Sequence, residues 1–420
     1  MRLPTRFFLL PLVIGLLHRP LDAQSAPAAA HTDAVHGAPV SIRWNRLVPV
    51  FAEEAVAGRR AARAAAAGDS AALRRIAQTP PPILFRVYTL LSVAQYAALG
   101  AARDDRNVPA EAAIASASAT VLTEQFTDSG VRASIARELT RDLERSGTDP
   151  RGVERARVGT RLGEDVARRV IAWSPPLNFA EAWNGTIPTG PGMWHSAPGM
   201  PPSGIFLASA RGWLLDSAAR FRPAPPPKYG SSEFQTALEE VRRVARARTP
   251  EQTAIAQRWN IADPWAPWNE TAVAALLRHR ASDADAVRVL ALLNVASSDA
   301  VIACFAAKYH YWSIRPSQAD TTLALADSVS LPNFPSYPSG HACSAGAFDA
   351  VLGHFLPQDR ATFTRIAEEQ AMSRLYGGIH FRFDNDTGLE LGRAVARYAI
   401  EREQGGGLNL WRSAGVARAP

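Results

Sequence analysis

The segment FPSYPSGHACSAG, residues 334–346, leads from a proline-rich turn into the start of a small-residue helix. Ser339, Gly340 and His341 stand at that start and offer a hydroxyl, an unhindered N–H group and an imidazole. The first N–H groups of a helix are unpaired and carry partial positive charge, so they favour an anion. The alternative is a turn in which Ser339 only caps the helix and His341 is exposed. Residues elsewhere in the chain must decide between the two.

The composition and periodicity of the whole chain predict the fold class. The 420 residues are 47% hydrophobic and 20% charged, which is typical of a globular protein with a large core. Apolar residues recur at three and four positions along most of the chain, and no alternating strand series or fixed-length repeat appears. The sequence therefore predicts an all-α protein built as a helical bundle.

The same patterns predict how the helices are organised along the chain. Alanine-rich helical patterns fill the first part, a Pro-, Gly- and Trp-rich stretch follows, and helical patterns then return. The tryptophans of the middle stretch need burial, which favours a long ordered loop over a linker. We predict an N-terminal helical region over 24–174 with a loose start, a loop over 175–232, a C-terminal helical bundle over 233–405 and a tail over 406–420.

The N-terminus has the pattern of a secretory signal peptide. Residues 1–23 combine Arg2 and Arg6 with the short apolar core FFLLPLVIGLL and a cleavage position at Ala23. A retained N-terminal anchor is the alternative. A cleaved signal predicts a periplasmic or secreted protein. Charged and polar residues interrupt the other long apolar stretch, 83–102, so we expect a buried helix there and no stable membrane span in the mature protein.

The formal net charge of +7 comes almost entirely from arginine, since Lys228 and Lys308 are the only lysines. The arginines alternate with acidic residues, as is typical of solvated helix faces. No basic run with interleaved aromatic residues appears, which argues against nucleic acid as a partner and leaves small molecules. The sequence does not predict an oligomeric state. Lys308 stands in an apolar, aromatic stretch, where a buried cation would need a specific partner.

The aromatic stretch around Lys308 holds a second cation, Arg315. The segment KYHYWSIRP, residues 308–316, holds Lys308 and Arg315 seven positions apart. Seven positions make two helical turns, so a helix ending at Pro316 would present both cations on one face. Their anionic partner is either a bound ligand or the carboxylates of structural ion pairs.

A third segment, SRLYGGIHFRFDND over 373–386, adds the cation Arg374 and a histidine–carboxylate pair. Asp384 follows His380 by four positions, so on a helix their side chains can meet. A carboxylate would fix the tautomer of the histidine and raise its basicity. The alternative for such a pair is a surface contact without function.

The three segments together predict a cage for a tetrahedral oxyanion. Three cations match an ion of two or three negative charges, and a hydroxyl and a backbone amide add neutral donors. Of the two histidines, one would attack or ligate the central atom and the other would handle protons on an outer oxygen. The predicted oxyanion-binding residues are Lys308, Arg315, Ser339, Gly340 and Arg374.

These motifs resemble those shared by vanadium-dependent haloperoxidases and type 2 phosphatidic acid phosphatases, a superfamily of helical bundles. The pattern Lys-x6-Arg-Pro, Pro-Ser-Gly-His and Ser-Arg-x5-His-x3-Asp is complete and in order over 308–384. The resemblance implies that the cage residues bind vanadate or phosphate, that Lys308 is also catalytic, and that His341 is the acid–base residue. It implies that His380 ligates vanadium, or forms a phosphohistidine in a phosphatase, and that Asp384 orients His380.

The resemblance to the haloperoxidase branch extends upstream, into PKYGSSEFQTALEEVRRVARARTPEQTAIAQRW and the long helical region before the site. It implies a candidate halide pocket of Phe305, Trp312 and Phe334. Two departures leave the halide open. Fungal chloroperoxidases have tryptophan where this chain has Phe305, three residues before the lysine, and bromoperoxidases often have histidine where this chain has Phe334.

Three functional hypotheses follow. The first is an exported, vanadate-dependent haloperoxidase-like enzyme that oxidises halide with hydrogen peroxide, with Lys308 polarising the bound peroxide. The second is a metal-free acid phosphatase, without vanadate, in which His380 attacks phosphorus and His341 protonates the leaving oxygen. The third is a phosphate- or vanadate-binding protein without turnover. The cage residues do not separate them, because vanadate and phosphate share shape and charge.

The two cysteines, Cys304 and Cys343, flank the motifs and are expected to be neighbours in space. Two cysteines in so long a chain give no disulfide framework. They predict either a single bridge or two small buried thiols.

Overall fold

The computed structural model describes residues 38–70, 83–105, 107–145, 149–176, 183–261 and 264–409. Within these ranges it contains 13 α-helices, and no β-strand apart from an isolated bridge between Met193 and Ser313. The predicted all-α fold is therefore confirmed. The predicted signal peptide over 1–23 lies outside the described residues, as does most of the predicted tail.

Five helices form the N-terminal part of the bundle: α1 (Val40–Ala65), α2 (Leu84–Asp104), α3 (Ala110–Gln125), α4 (Ser129–Glu144) and α5 (Pro150–Trp173). α4 and α5 begin at the N-caps Asp128 and Asp149, whose side chains each accept two backbone N–H groups. α3 and α5 approach closely because Gly163 has no side chain. A Cβ atom there would collide with the carbonyl oxygen of Ala113.

Eight helices form the C-terminal part: α6 (Ser232–Arg246), α7 (Pro250–Arg258), α8 (Trp265–Arg278), α9 (Asp283–Tyr311), α10 (Pro316–Ala319), α11 (Gly340–Phe355), α12 (Arg360–Tyr376) and α13 (Arg382–Gln404). α9 is central and packs against α2, α11 and α13. α13 lies close to α11 because a glycine, Gly392, faces the carbonyl oxygen of Cys343 and leaves no room for a Cβ atom.

One hydrophobic core spans both parts, from Val40 in α1 to Leu408 after α13. Among the described residues, α9 is the one helix long and apolar enough to cross a membrane, and its apolar stretch is wholly buried inside the protein. Such burial is typical of a core helix. The stretch over 83–102 forms α2, most of which is buried, as predicted.

Residues 183–231 form a long connection whose only helical elements are short 3₁₀ turns. Trp194 and Trp213 are buried at 1% and 6% exposure. The connection is tied to α9 at Asp299, whose carboxylate accepts three consecutive backbone N–H groups, beginning at Trp213, at 2.7, 2.8 and 2.8 Å. These charge-assisted hydrogen bonds hold the loop against the central helix.

One expectation about a helix boundary is wrong, and one expected contact forms without a shared helix. The helix that begins at Asp283 was expected to reach Pro316, but it ends at Tyr311 because Trp312 adopts a left-handed conformation with a φ of 50°. Lys308 and Arg315 therefore do not share a helix face. His380, likewise, lies in the turn before α13 rather than on a helix with Asp384.

Candidate active site

Lys308 lies in the last turn of α9 and is fully buried. Its ammonium group donates to the carbonyl oxygens of Pro335 at 2.9 Å and Ser336 at 2.7 Å, and lies 5.1 Å from the centre of the Phe334 ring. Burial lowers the pKa of Lys308 to about 8. Because an ammonium group has three donors, these two bonds leave one for a ligand.

Arg315 follows α9 in an extended backbone conformation and stands at the start of α10. Its Nε donates to the carbonyl oxygen of Phe334 at 2.9 Å, and its Nη1 to that of Ile379 at 2.7 Å. Its Nη2 is buried and has no hydrogen-bond partner among the described residues. Burial lowers the pKa of Arg315 to about 10. A buried donor without a partner is costly, so a ligand is the expected partner.

Arg374 comes from the last turn of α12 and is 2% exposed. Its Nε donates to the hydroxyl of Ser373 at 3.1 Å, and its Nη2 to the carbonyl oxygen of Ala256 at 3.3 Å. Burial and, after it, the charge of Arg315 lower the pKa of Arg374 to about 9. Two guanidinium groups from different parts of the fold thus lie near enough to repel each other.

Ser339 is the N-cap residue of α11, and its N–H donates to the carbonyl oxygen of Asp384 at 2.8 Å. Its hydroxyl does not cap the helix: Oγ is buried and has no partner in the part of the chain that the structure describes. At the next residue, Gly340, a Cβ atom would meet nothing closer than Lys308 Cε at 3.9 Å and Phe305 Cε2 at 4.0 Å. The protein therefore leaves space beside the lysine.

His380 is 2% exposed and contacts Asp384. Its Nδ1 lies 2.9 Å from Oδ2 of Asp384, which also accepts the hydroxyl of Ser336 at 2.6 Å and a backbone N–H at 3.0 Å. Nδ1 therefore carries the proton, and Nε2 presents a lone pair. Burial, and then the charge of Arg315, keeps the pKa of His380 well below its ordinary value, so the ring is neutral.

His341 is the second residue of α11 and is partly buried. Its Nε2 lies 3.1 Å from the carbonyl oxygen of Ile261, in the connection between α7 and α8. Its own carbonyl oxygen accepts the side-chain amide of Gln370 at 2.9 Å. Burial and the charge of Arg374 keep the pKa of His341 well below its ordinary value. The ring is therefore neutral and lies within the field of the cage cations.

The cage carries an excess of positive charge, from Lys308, Arg315 and Arg374. Within the described ranges, no salt bridge joins Lys308, Arg315 or Arg374 to a carboxylate, so structural ion pairs do not account for the three cations. The nearby carboxyl group is that of Asp384, whose pKa burial raises to about 6 and whose Oδ1 also has no partner there. Excess positive charge and two unused donors fit an oxyanion.

The aromatic residues divide into two groups. Phe305 and Phe334 lie together, with ring centres 5.3 Å apart, and Arg315 lies 5.0 Å from the centre of the Phe334 ring. Trp312 instead packs between Trp183 and Trp194, at 6.1 Å from each. The structure thus brings two of the three candidate halide-pocket residues to the lysine and directs the third toward the long connection.

Ser336 is a site residue that the sequence reasoning missed. It is fully buried, and its hydroxyl donates to the same carboxylate oxygen that His380 contacts. Ser336 belongs to the segment over 334–346, but its contact depends on how that turn meets α13. Local spacing does not encode such a contact.

Cys304 and Cys343 are buried free thiols whose side chains lie close together where α9 packs against α11. The prediction that they are neighbours is confirmed. Of the two alternatives, the structure has the pair of buried thiols.

Comparisons with known proteins agree on the fold. Residues 288–404 match the PAP2 superfamily. The structure is similar to that of a bacterial vanadium-dependent iodoperoxidase, with a TM-score of 0.64 and 24% identity over 77% of this chain and 91% of that chain. It is also similar to a bacterial vanadium-dependent chloroperoxidase. The apo form of that enzyme gives a TM-score of 0.61 and 13% identity, over 79% of this chain and 94% of that chain. The holo form gives a TM-score of 0.61 and 15% identity, over 77% of this chain and 92% of that chain. A search of curated proteins found no match.

Proposed function

We propose that this chain, which carries a PAP2 superfamily domain over residues 288–404 on the fold of the vanadium haloperoxidases, is an exported, vanadate-dependent haloperoxidase that oxidises halide with hydrogen peroxide. The observation that carries the proposal is a pair of buried donors without partners in the described structure, Nη2 of Arg315 and Oγ of Ser339, amid three cations. Donors of this kind are satisfied by the oxygens of a tetrahedral oxyanion.

The burial of the cage supports small inorganic reagents over bulky esters. Lys308, Arg315 and Ser339 are fully buried, whereas the neighbouring Gly340 and His341 are partly exposed. Hydrogen peroxide and halide ions are small enough to pass this edge. The phosphate of an ester would have to enter the cage past the same two residues while its organic group stays outside.

The side chains fit vanadate as the ion held in the cage. The three cations, the Ser339 hydroxyl and the Gly340 amide would donate to its oxygens, and Nε2 of His380 would offer its lone pair to the central atom. When bound, vanadate would supply a Lewis-acidic centre that activates hydrogen peroxide, so that the peroxide takes two electrons from halide.

The residues of the chain orient the reagents and move protons. Asp384 and Ser336 hold His380 in the tautomer with the proton on Nδ1. Because Nε2 of His341 donates to the carbonyl oxygen of Ile261, neutral His341 would accept a proton from incoming peroxide at Nδ1 and return it to the oxygen that leaves as water. The same remaining N–H donor of Lys308 would polarise an oxygen of incoming peroxide. Phe305 and Phe334 exclude water beside the lysine and form the wall against which halide approaches.

A metal-free phosphatase is the second candidate, and one observation favours it. The neutral lone pair on Nε2 of His380, held by a buried carboxylate, is also what attack on phosphorus requires. In that reaction His341 would protonate the leaving oxygen and then activate water.

Parallel assays on one preparation test these functions. The purified chain is freed of bound anions, divided, and incubated with and without vanadate. Each half is assayed for peroxide-driven oxidation of iodide, bromide and chloride, and for hydrolysis of a chromogenic phosphate ester. His380→Ala serves as the control for both activities.

The proposal expects halide oxidation that depends on vanadate and is absent from the control. Ester hydrolysis that vanadate inhibits would instead support the phosphatase. Oxyanion binding without either activity would support the non-catalytic binding protein.

A further inference from the structure

A dithiol that the proposed reaction does not use lies beneath the oxyanion cage. Cys304 and Cys343 are both fully buried and free, and their side chains come close enough to influence each other across the packed helices α9 and α11. The sulfur of Cys304 also lies 3.6 Å from the carbonyl oxygen of Pro338, which immediately precedes Ser339. Two thiols in contact are chemically different from a single buried cysteine, because one can resolve an oxidised form of the other.

Each thiol is one helical turn or less from a cage residue. Cys304 precedes Lys308 by four positions, so the two side chains follow each other on the same face of α9. Cys343 is in the first turn of α11, and its N–H donates to the carbonyl oxygen of Ser339 at 3.0 Å. Both cysteines therefore stand about one helical turn, roughly 5 Å along the helix axis, from a residue of the cage.

The two thiols differ in reactivity. Burial raises the pKa of Cys304, but the neighbouring Cys343 thiol and the charge of Lys308 outweigh it and leave that pKa below its ordinary value. Burial, and then the neighbouring Cys304 thiol, raises the pKa of Cys343. Because the thiolate is the nucleophile and Cys304 lies one turn from Lys308 on the same face of α9, Cys304 is the thiol expected to attack and Cys343 the one expected to resolve.

We propose that Cys304 and Cys343 form a peroxide-reactive dithiol, which closes to a disulfide between α9 and α11 beneath the cage. The sulfur of Cys304 attacks one oxygen of hydrogen peroxide: an S–O bond forms, the O–O bond breaks, and the departing hydroxide takes a proton and leaves as water. The sulfur of Cys343 then attacks the sulfenic acid: an S–S bond forms, the S–O bond breaks, and a second water leaves. Two thiols and one peroxide give one disulfide and two waters.

The inference rests on the proposed function only for the source of the reagent, since a haloperoxidase receives hydrogen peroxide at this cage. The bridge would join the turn that carries Lys308 to the turn that carries Ser339. It would also close a chain loop between positions 304 and 343. Closing such a loop restricts the unfolded chain, so the oxidised protein should unfold at a higher temperature than the reduced protein.

The test uses the full chain, reduced and then exposed to hydrogen peroxide alone, without vanadate or halide. After denaturation and alkylation, peptide masses report free thiols, sulfenic acid and disulfide. Met193, which is 36% exposed, serves as an internal measure of peroxide dose through its sulfoxide. Because no turnover is involved, the result is independent of the halide and ester assays, and either proposal can fail without the other.

We expect the Cys304–Cys343 disulfide to appear at doses that leave most of Met193 unoxidised, and a reductant to reverse both the bridge and the rise in unfolding temperature. In Cys343→Ser, Cys304 should stop at sulfenic acid and be trapped by dimedone. In Cys304→Ser, Cys343 should stay free at the same dose. Complete oxidation of Met193 while both wild-type thiols stay free would overturn the proposal, whether or not the variants fold.

Discussion

Nε2 of His380 lies 3.5 Å from Nη1 of Arg315, while Nδ1 of the same ring lies 2.9 Å from Oδ2 of Asp384. The imidazole is thus held between a cation and a carboxyl group. Its proton is on the carboxyl side, and its lone pair is on the side of the cage. Burial and the charge of Arg315 keep the pKa of the ring low, so the lone pair remains available. This arrangement distinguishes His380 from His341, which instead contacts a backbone carbonyl oxygen.

The two histidines should therefore respond differently to removal. His380→Ala should remove the bond to the central atom and weaken vanadate binding. His341→Ala should retain most of the oxyanion affinity, because the three cations remain, but should slow turnover by about a hundredfold or more. Calorimetric titration with vanadate, together with turnover measurements on both variants, separates the two roles. Equal losses of affinity, or normal turnover in His341→Ala, would show that the roles are assigned wrongly.

Oxyanion affinity should depend on pH through Lys308. Burial lowers its pKa to about 8, so the lysine is charged below this pH and loses its proton above it. The affinity for sulfate, whose charge is constant in this range, should be high below pH 8, fall by about tenfold per pH unit above it, and fall more steeply above pH 9, where Arg374 also loses its proton. Titrations with sulfate between pH 6.5 and 9.5 measure the effect, because these limits lie about 1.5 pH units on either side of the pKa of Lys308.

A matched pair of variants makes the assignment to Lys308 specific. Lys308→Arg should move the fall in sulfate affinity to higher pH, because guanidinium keeps its proton longer. Lys228→Met changes the only other lysine, which is exposed, and should leave the profile as in the wild type. A profile that is flat in the wild type, or unchanged in Lys308→Arg, would contradict the assignment.

The loop over 183–231 should depend on Asp299 for its attachment. Asp299→Ala would leave three buried backbone N–H groups unpaired and should lower the free energy of unfolding by about 3 kcal/mol or more. Urea-induced unfolding measures the loss. Ser297→Ala, on the same helix, is the control, because Ser297 is fully buried and its hydroxyl has no partner among the described residues. A loss no larger than that of the control would mean that the loop is held elsewhere.

Export is expected from the basic start and short apolar core of residues 1–23. N-terminal sequencing of the protein from its native host should show the loss of about two dozen residues. The protein should then be found in the periplasmic or secreted fraction. An intact Met1 in a cytoplasmic fraction would contradict this expectation.

The residue types of the site were predictable from sequence, whereas the backbone that delivers them was not. Lys308 and Arg315 meet as expected, but not because they share a helix. Trp312 takes a left-handed conformation that ends α9, and Arg315 reaches the site from extended backbone. A tryptophan gives no sequence signal for that conformation, because such conformations are ordinarily taken by glycine or asparagine.

Contacts between segments far apart in the sequence are the other part of the site that could not be predicted. The spacing of four predicts the contact of His380 with Asp384, although His380 makes it from the turn before the helix, whereas the hydroxyl of Ser336 reaches the same carboxylate from 48 residues away. Ser339 illustrates the opposite case. Its sequence position predicted an ordinary N-cap as one alternative, yet its hydroxyl is buried and free of the helix. Tertiary packing, which local pattern does not encode, decides both.

A crystal structure of the chain soaked in vanadate tests the central claim most directly. The account predicts one vanadate per chain, with vanadium bonded to Nε2 of His380 and with its oxygens accepting hydrogen bonds from Nη2 of Arg315 and Oγ of Ser339. Vanadate bound at another site, or a cage in which these two donors stay unpaired at saturating vanadate, would contradict it.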